Sequence, residues 1–279
     1  MVHALRDTPL TDHDVFLTTK EYKRFTEFCD ACRRFQYIGL CYGLPGVGKT
    51  ASARKYANWH WFDDPKTNWK KTTERKTLPE EALSCSTVFY TAEVAGNAKR
   101  LSDQLRSAMD FFDDAIEDAL DARSAEDRTL ADYREHTELI IVDEADRLKL
   151  QSLEQLRDTF DRSGMGLVLL GMPGLEKRLS RYPQLYSRVG FVHEFKPLSQ
   201  EEMIFILEHK WSELGLNLKA DDFMDVEAMS AVARITQGNF RLLQRLLAQI
   251  ERLLAINGFK LVSKELVEVA RESLVIGVA

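Results

Sequence analysis

A chain of 279 residues, 44% hydrophobic and 29% charged, has room for one substantial core and a smaller appended domain. Its formal net charge of -6 excludes a protein that coats nucleic acid by bulk charge alone, so any DNA contact needs a local basic patch. No apolar run reaches the ~20 residues that span a bilayer, and the polar start, Met1–Asp14, lacks the apolar core of a secretory signal, which points to the cytoplasm and away from a membrane.

In chain order, Thr18–Gln36 is the first predicted helix, with Thr18 or Thr19 placed to cap its free amides. Tyr22, Phe25, Phe28, Cys29, Cys32 and Phe35 recur at helical spacing and predict its buried stripe. The C-x-x-C pair of Cys29 and Cys32 lies on that stripe and reads as core, because no second pair or nearby histidine completes a zinc set. Tyr37–Tyr42 reads as a strand running into Gly43, and helical character resumes over Thr50–Trp61. Residues 63–86, with Pro65 and Pro79, read as an inserted loop, and Thr87–Thr91 as a strand. A long helix follows, with Leu101, Leu105, Met109, Phe112, Ile116 and Leu120 on one face. Its other face carries Asp110, Asp113, Asp114, Glu117, Asp118 and Asp121 and is expected to be solvated.

Leu139–Val142 and Gly166–Leu170 are apolar without alternation, as parallel strands buried on both faces should be. Phe191–Phe195 is a shorter strand candidate. Strands separated by helices predict an α/β fold with a parallel sheet. After Pro197 only helices are expected, the strongest marked by Leu242, Leu243, Leu246, Leu247, Ile250, Leu253 and Leu254. A domain boundary therefore falls near Lys196–Leu198, separating residues 1–196 from 197–279.

Two elements carry chemistry. Gly43-Leu44-Pro45-Gly46-Val47-Gly48-Lys49-Thr50 matches the phosphate loop G-x-x-x-x-G-K-S/T in full, with a strand before it and a helix after. The glycines let backbone N–H groups surround a β-phosphate, and the following helix adds its positive end. Lys49 is expected to bridge the β- and γ-phosphates and the Thr50 hydroxyl to bind Mg²⁺, with nucleotide contacts running from Gly43 to Ala51. The second element is Asp143-Glu144 at the end of a buried strand: Asp143 to hold Mg²⁺, Glu144 to act as general base for ATP hydrolysis. Arginines meet charge on a transferring phosphoryl group. Arg188, just before the last strand, is the candidate acting on a neighbouring subunit, with Arg181 and Arg178 behind it. Arg241, in Gly238-Asn239-Phe240-Arg241, opens a helix and is placed to reach the phosphates of its own chain.

The phosphate loop, Asp143-Glu144 and Gly238–Arg241, in this order, resemble the AAA+ ATPases. The resemblance implies a five-stranded parallel sheet with a small C-terminal helical lid, ATP and Mg²⁺ as cofactors, and oligomers that share their sites. It also implies that Arg188 is the arginine finger and Arg241 the sensor-2 arginine. Within that family Ile140–Leu148 and Val168–Leu175 resemble the transposition ATPases, the TnsC, TniB and MuB proteins. Such proteins assemble on double-stranded DNA as rings or helical filaments, recruit a transposase, with a targeting adaptor protein as a further partner, and disassemble on hydrolysis. By that likeness DNA is expected at Lys99 and Arg100; the cluster Lys66–Lys76 is a second basic site. One departure stands out: the family ends its fourth strand with a small polar residue, and here Met172 follows Gly171, neither with a side-chain donor, so slow turnover is expected. A helicase-loader or initiator-type ATPase keeps all of this chemistry, and a regulatory ATP switch acting on a protein partner keeps the binding site alone.

Overall fold

The computed structural model describes residues 16–62, 78–123, 135–213 and 222–274. Helix α1 (Lys20–Phe35) begins where Thr19 accepts a hydrogen bond from the Tyr22 amide, and Gln36 closes it in the left-handed conformation. Phe25, Cys29 and Cys32 on its inner stripe are fully buried. Burial pushes the Cys29 thiol well up and that of Cys32 to about 12, so both are neutral core groups rather than thiolate ligands. Phe35 departs from the stripe: it is exposed at the last turn, where it packs against Tyr37 and Phe191.

Strand β1 (Ile38–Tyr42) leads into helix α2 (Lys49–Tyr56). The helix is shorter than its composition suggests, because Asn58 takes a positive φ of 46° and Trp59–Trp61 forms a separate 3-10 turn. Of the expected loop over 63–86, residues 63–77 lie outside the described residues, and Glu80–Leu83 forms the short helix α3. Strand β2 (Thr87–Thr91) and the long helix α4 (Ala98–Arg123) follow. The acidic face of α4 is not uniformly solvated. Glu117 is buried against the ring of His136, and Asp113 accepts hydrogen bonds from the His136 amide and the Thr137 hydroxyl. The segment folded back over α4 supplies these partners, and helical periodicity contains no sign of it.

Strand β3 (Leu139–Asp143), helix α5 (Leu150–Ser163), strand β4 (Gly166–Gly171), short helices α6 (Leu175–Leu179) and α7 (Pro183–Tyr186), and strand β5 (Val189–Glu194) complete the sheet. All pairings are parallel and the order is β2-β3-β4-β1-β5. Alternate residues of the central strands feed opposite layers, as the two-residue period demands. Leu139, Ile141, Val168 and Leu170 join α1 and part of α4 on one face. Ile140, Val142, Leu167 and Leu169 join α5, α6 and α7 on the other. Strand β5 is an edge with alternate residues exposed, and it begins at Val189, two residues before the predicted start. Helices α8 (Gln200–Glu213), α9 (Phe223–Thr236), α10 (Phe240–Asn257) and α11 (Lys264–Glu272) bury a third cluster around Trp211, Val232, Leu246 and Val267. Among the described residues no helix is long and apolar enough to cross a membrane. The order places the carboxyl ends of β1, β4 and β3 side by side, the edge of an open α/β sheet where ligands bind.

Candidate functional site

At that edge β1 turns sharply. Gly46 and Gly48 have φ of 81° and 112°, values that side chains resist. A Cβ on Gly43 would lie 2.3 Å from the Phe195 carbonyl oxygen, so close packing demands glycine there too. Helix α2 then starts at Lys49. The Lys49 ammonium folds back over the turn, donating to the carbonyls of Gly43 at 2.5 Å and Leu44 at 2.9 Å. Burial lowers its pKa, opposed by the nearby charges of Asp143, Asp146 and Glu144. An oxyanion bearing two or more charges is a stronger partner for this ammonium than two neutral carbonyls.

Beside it the Thr50 hydroxyl donates to Asp143 Oδ2 at 2.7 Å, bringing together two groups distant in sequence. Asp143 is 4% exposed, and its Oδ1 accepts the Glu144 amide at 2.9 Å. An all-oxygen pair on rigid elements, one of them anionic, fits a hard cation such as Mg²⁺ that keeps most of its waters. Glu144 stands at φ 56° and lines the cleft, its carboxylate half-exposed and 3.6 Å from Arg147.

Helix α10 closes the cleft from the C-terminal side. Asn239 caps α10 by accepting the Leu242 amide, and its Nδ2 donates to the Pro45 carbonyl at 2.9 Å. The Arg241 amide donates to the Gly46 carbonyl at 2.9 Å. A Cβ on Gly46 would lie 2.5 Å from Asn239 Oδ1, so helix and loop interlock. The resulting cleft of about 370 Å³ is lined by Pro45, Gly46, Gly48, Lys49, Thr50 and Ala51, by Asp143, Glu144 and Met172, and by Arg241. Gly43, Leu44 and Val47 of the predicted set shape the turn without lining this cleft. Adjoining it is an apolar pocket of about 170 Å³, bounded by Phe16, Leu17, Phe195, Leu198, Phe240 and Leu243. It can take a flat ring system. No local motif marks it, because its walls come from five separated segments.

Other predicted residues lie apart from the cleft. Arg188 forms a two-pronged ion pair with Asp161 of α5 and also donates to the Gln184 carbonyl. Its guanidinium holds the Asp161 carboxyl below the ordinary carboxylate value. Arg178 donates to the carbonyls of Asp146 and Leu148 and so braces the loop after Glu144. Arg181 is exposed. Lys99 is exposed at the start of α4, while Arg100 is engaged by Glu93 at 2.8 Å. Lys66–Lys76 falls outside the described residues.

A parallel sheet with strand order 2-3-4-1-5, a phosphate loop after its central strand and an acid pair after β3 defines a P-loop nucleotide-binding protein of the AAA+ class. Residues 33–179 match the AAA domain, and the chain belongs to that family. It is 48% identical over 273 residues to a potential ATP-binding protein of Staphylococcus aureus, covering 96% of this chain and 100% of that one. At 26% identity over 198 residues it is similar to the Mu-like prophage FluMu DNA transposition protein B of Haemophilus influenzae, covering 67% of this chain and 58% of that protein. At 26% over 197 residues it is similar to the ATP-dependent target DNA activator B of Escherichia phage Mu, again with 67% of this chain and 53% of that protein. Among solved structures, Thermotoga maritima RuvB, a Holliday junction branch migration motor, superposes with a TM-score of 0.58 at 17% identity, over 93% of this chain and 70% of its own. Domain III of the T. maritima replication initiation protein DnaA gives 0.53 at 14%, over 91% and 92%. These two likenesses speak to the fold alone.

Proposed function

We propose that this chain is a Mg-ATP-dependent ATPase that assembles on double-stranded DNA and selects a target site for a transposase. The observation that carries the reading is the juxtaposition of Lys49, Thr50, Asp143 and Glu144 in one cleft with α10 hydrogen-bonded onto the phosphate loop. Similarity to two Mu-type transposition proteins supports the biological role. On this reading the turn Gly43–Gly48, with Ala51, holds the phosphates, and the apolar pocket beside it takes the nucleobase. Lys49 moves from its two carbonyls onto the β- and γ-phosphates. Thr50 and Asp143 hold Mg²⁺, and Glu144 removes a proton from the attacking water. Arg241 reaches the γ-phosphate from the helical lid, residues 197–279, while residues 1–196 form the nucleotide-binding domain.

Arg188 is the arginine offered to the neighbouring subunit's site, once freed from Asp161; Arg178 is committed to its own chain, and Arg181 is the exposed alternative. Lys99 contacts DNA phosphates, with Arg100 in a supporting part. Turnover is slow, because the Met172 side chain has no hydrogen-bond donor to offer the water. ATP then acts mainly as an assembly clamp for a ring or filament, which recruits transposase and a targeting adaptor and comes apart on hydrolysis.

The test is sedimentation and negative-stain imaging with double-stranded DNA under ATP, ADP or no nucleotide, alongside Glu144→Gln. Ordered oligomers are expected only with ATP, and Glu144→Gln should hold them while slowing hydrolysis by roughly 10²-fold or more. A monomer indifferent to DNA in every nucleotide state would leave a regulatory ATP switch as the better reading.

A further inference from the structure

Three carboxylates face the cleft rather than the two that the acid pair announces: Asp146 lines it beside Asp143 and Glu144. It belongs to the 3-10 turn Ala145–Arg147 that follows β3. Its side chain crosses to the end of β4, where Oδ2 accepts the Met172 amide at 2.8 Å. Its backbone carbonyl is held by Arg178 of α6, which also grips the Leu148 carbonyl. The turn is therefore fixed from two directions, and the carboxylate has little freedom to swing away.

Gly171 makes room for this seat. A Cβ there would stand 2.7 and 2.9 Å from the two Asp146 oxygens. Gly171 is not among the glycines with positive φ, so the backbone does not require glycine and the space does. The charge of Asp146 also reaches the phosphate loop. Burial lowers the Lys49 pKa, and the charge of Asp146 is among those opposing that effect.

A water molecule offered to a general base has two O–H groups. One goes to the base; the other needs an acceptor, or the water turns freely and the attacking lone pair is misaimed. At this edge of the cleft the Met172 thioether is at best a weak acceptor. An ionised carboxylate has about four acceptor positions, and that bond uses one of them. We propose that Asp146 is a positioning residue of the hydrolytic site, accepting the second O–H of the water that Glu144 activates, in a seat that Gly171 keeps open. The inference rests on the hydrolysis reading above.

Asp146→Asn separates this role from a structural one. The amide oxygen still accepts the Met172 N–H, so the strut survives, but an NH₂ donor then faces the water in place of an acceptor. The measurement is steady-state ATP hydrolysis with separate nucleotide binding and thermal denaturation, on wild type, Glu144→Gln, Asp146→Asn and Gly171→Ala. Asp146→Asn should lower kcat roughly tenfold or more with KM, nucleotide affinity and Tm close to wild type. Gly171→Ala, which displaces the carboxylate while leaving its charge, should lower kcat in the same way. A wild-type kcat in Asp146→Asn, or a loss of kcat that is matched by lost binding and lost Tm in both variants, overturns the inference. Turnover that is absent from wild type, or undiminished in Glu144→Gln, overturns the hydrolysis reading and this inference with it.

Discussion

Truncating Asn239 removes two hydrogen bonds that share one side chain. Oδ1 caps α10 through the Leu242 amide at 3.1 Å, and Nδ2 holds the Pro45 carbonyl at 2.9 Å. Loss of an N-cap costs about 1 kcal/mol, and a side-chain bond to a neutral carbonyl contributes about 1 kcal/mol more. Asn239→Ala should therefore lower unfolding free energy by about 2 kcal/mol. Asn239→Ser keeps a capping oxygen but is too short to reach Pro45, so it should lose about 1 kcal/mol. Urea denaturation followed by circular dichroism measures both, with an unchanged m-value required for the comparison. The serine variant isolates the tie between lid and phosphate loop, so it should also weaken ATP binding, read by titration with a fluorescent nucleotide. Serine indistinguishable from wild type in both assays, or alanine no worse than serine, would refute the claim that this side chain joins the two elements.

Gly39→Ala should destabilise the fold by about 2 kcal/mol, because the added Cβ would lie 2.4 Å from Cys32 Sγ and 2.6 Å from Phe28 Cζ inside a filled core; thermal denaturation checks this. Asp161→Asn should cost about 1 kcal/mol at neutral pH, the upper end for a partly exposed ion pair. Because Arg188 depresses the folded pKa of Asp161 below its usual 3.8, that stability is present above about pH 4 and is lost as pH falls through the folded pKa. Denaturation of wild type and variant across pH should therefore show the two curves converging in acid. Lys49→Ala should weaken ATP binding by about 2 kcal/mol or more without unfolding the chain, measured by calorimetric titration. On the DNA-binding proposal, Lys99→Glu should reduce the salt dependence of DNA affinity by about one phosphate contact, and Arg100→Glu should do less, since Arg100 already serves Glu93.

What was legible in the sequence follows from where the determinants lie. The phosphate loop and the Asp143-Glu144 pair are contiguous, and β1, β3 and β4 are buried on both faces, so an apolar run and a short motif describe them well. Strand β5 is covered on one face only; its inward residues Val189, Phe191 and His193 alternate with outward ones, and the run reads short for that reason. Long-range partners were out of reach. Glu117 looks like any acid on a polar stripe until His136 is folded against it. Asn239 looks like an ordinary helix cap until its other end meets Pro45, 194 positions away. Arg188 and Arg178 were readable as cations near a strand, but not as cations already engaged by Asp161 and by the carbonyls of Asp146 and Leu148.

The phosphate loop owes its place in the design to being two-sided. On the proposed reading, positive φ at Gly46 and Gly48 lets the turn aim its inner amides at a phosphate, while the outer carbonyls of Pro45 and Gly46 face α10. Those outward carbonyls are the groups that the Asn239 side chain and the Arg241 amide hold. A peptide plane is rigid, so its N–H and C=O cannot be reoriented independently. On the proposed reading, a phosphate that pulls the inner amides into register also sets the outer carbonyls, and with them the N-terminus of α10. The helical region then follows the state of the phosphates through backbone alone, before Arg241 makes any contact with a γ-phosphate. The arginine adds sensitivity to the terminal phosphate, whereas the carbonyl tie answers to the presence of nucleotide as such. ADP should therefore order the lid nearly as well as ATP while failing to support assembly, and hydrogen exchange along α10 in the two nucleotide states distinguishes that arrangement from a lid governed by Arg241 alone.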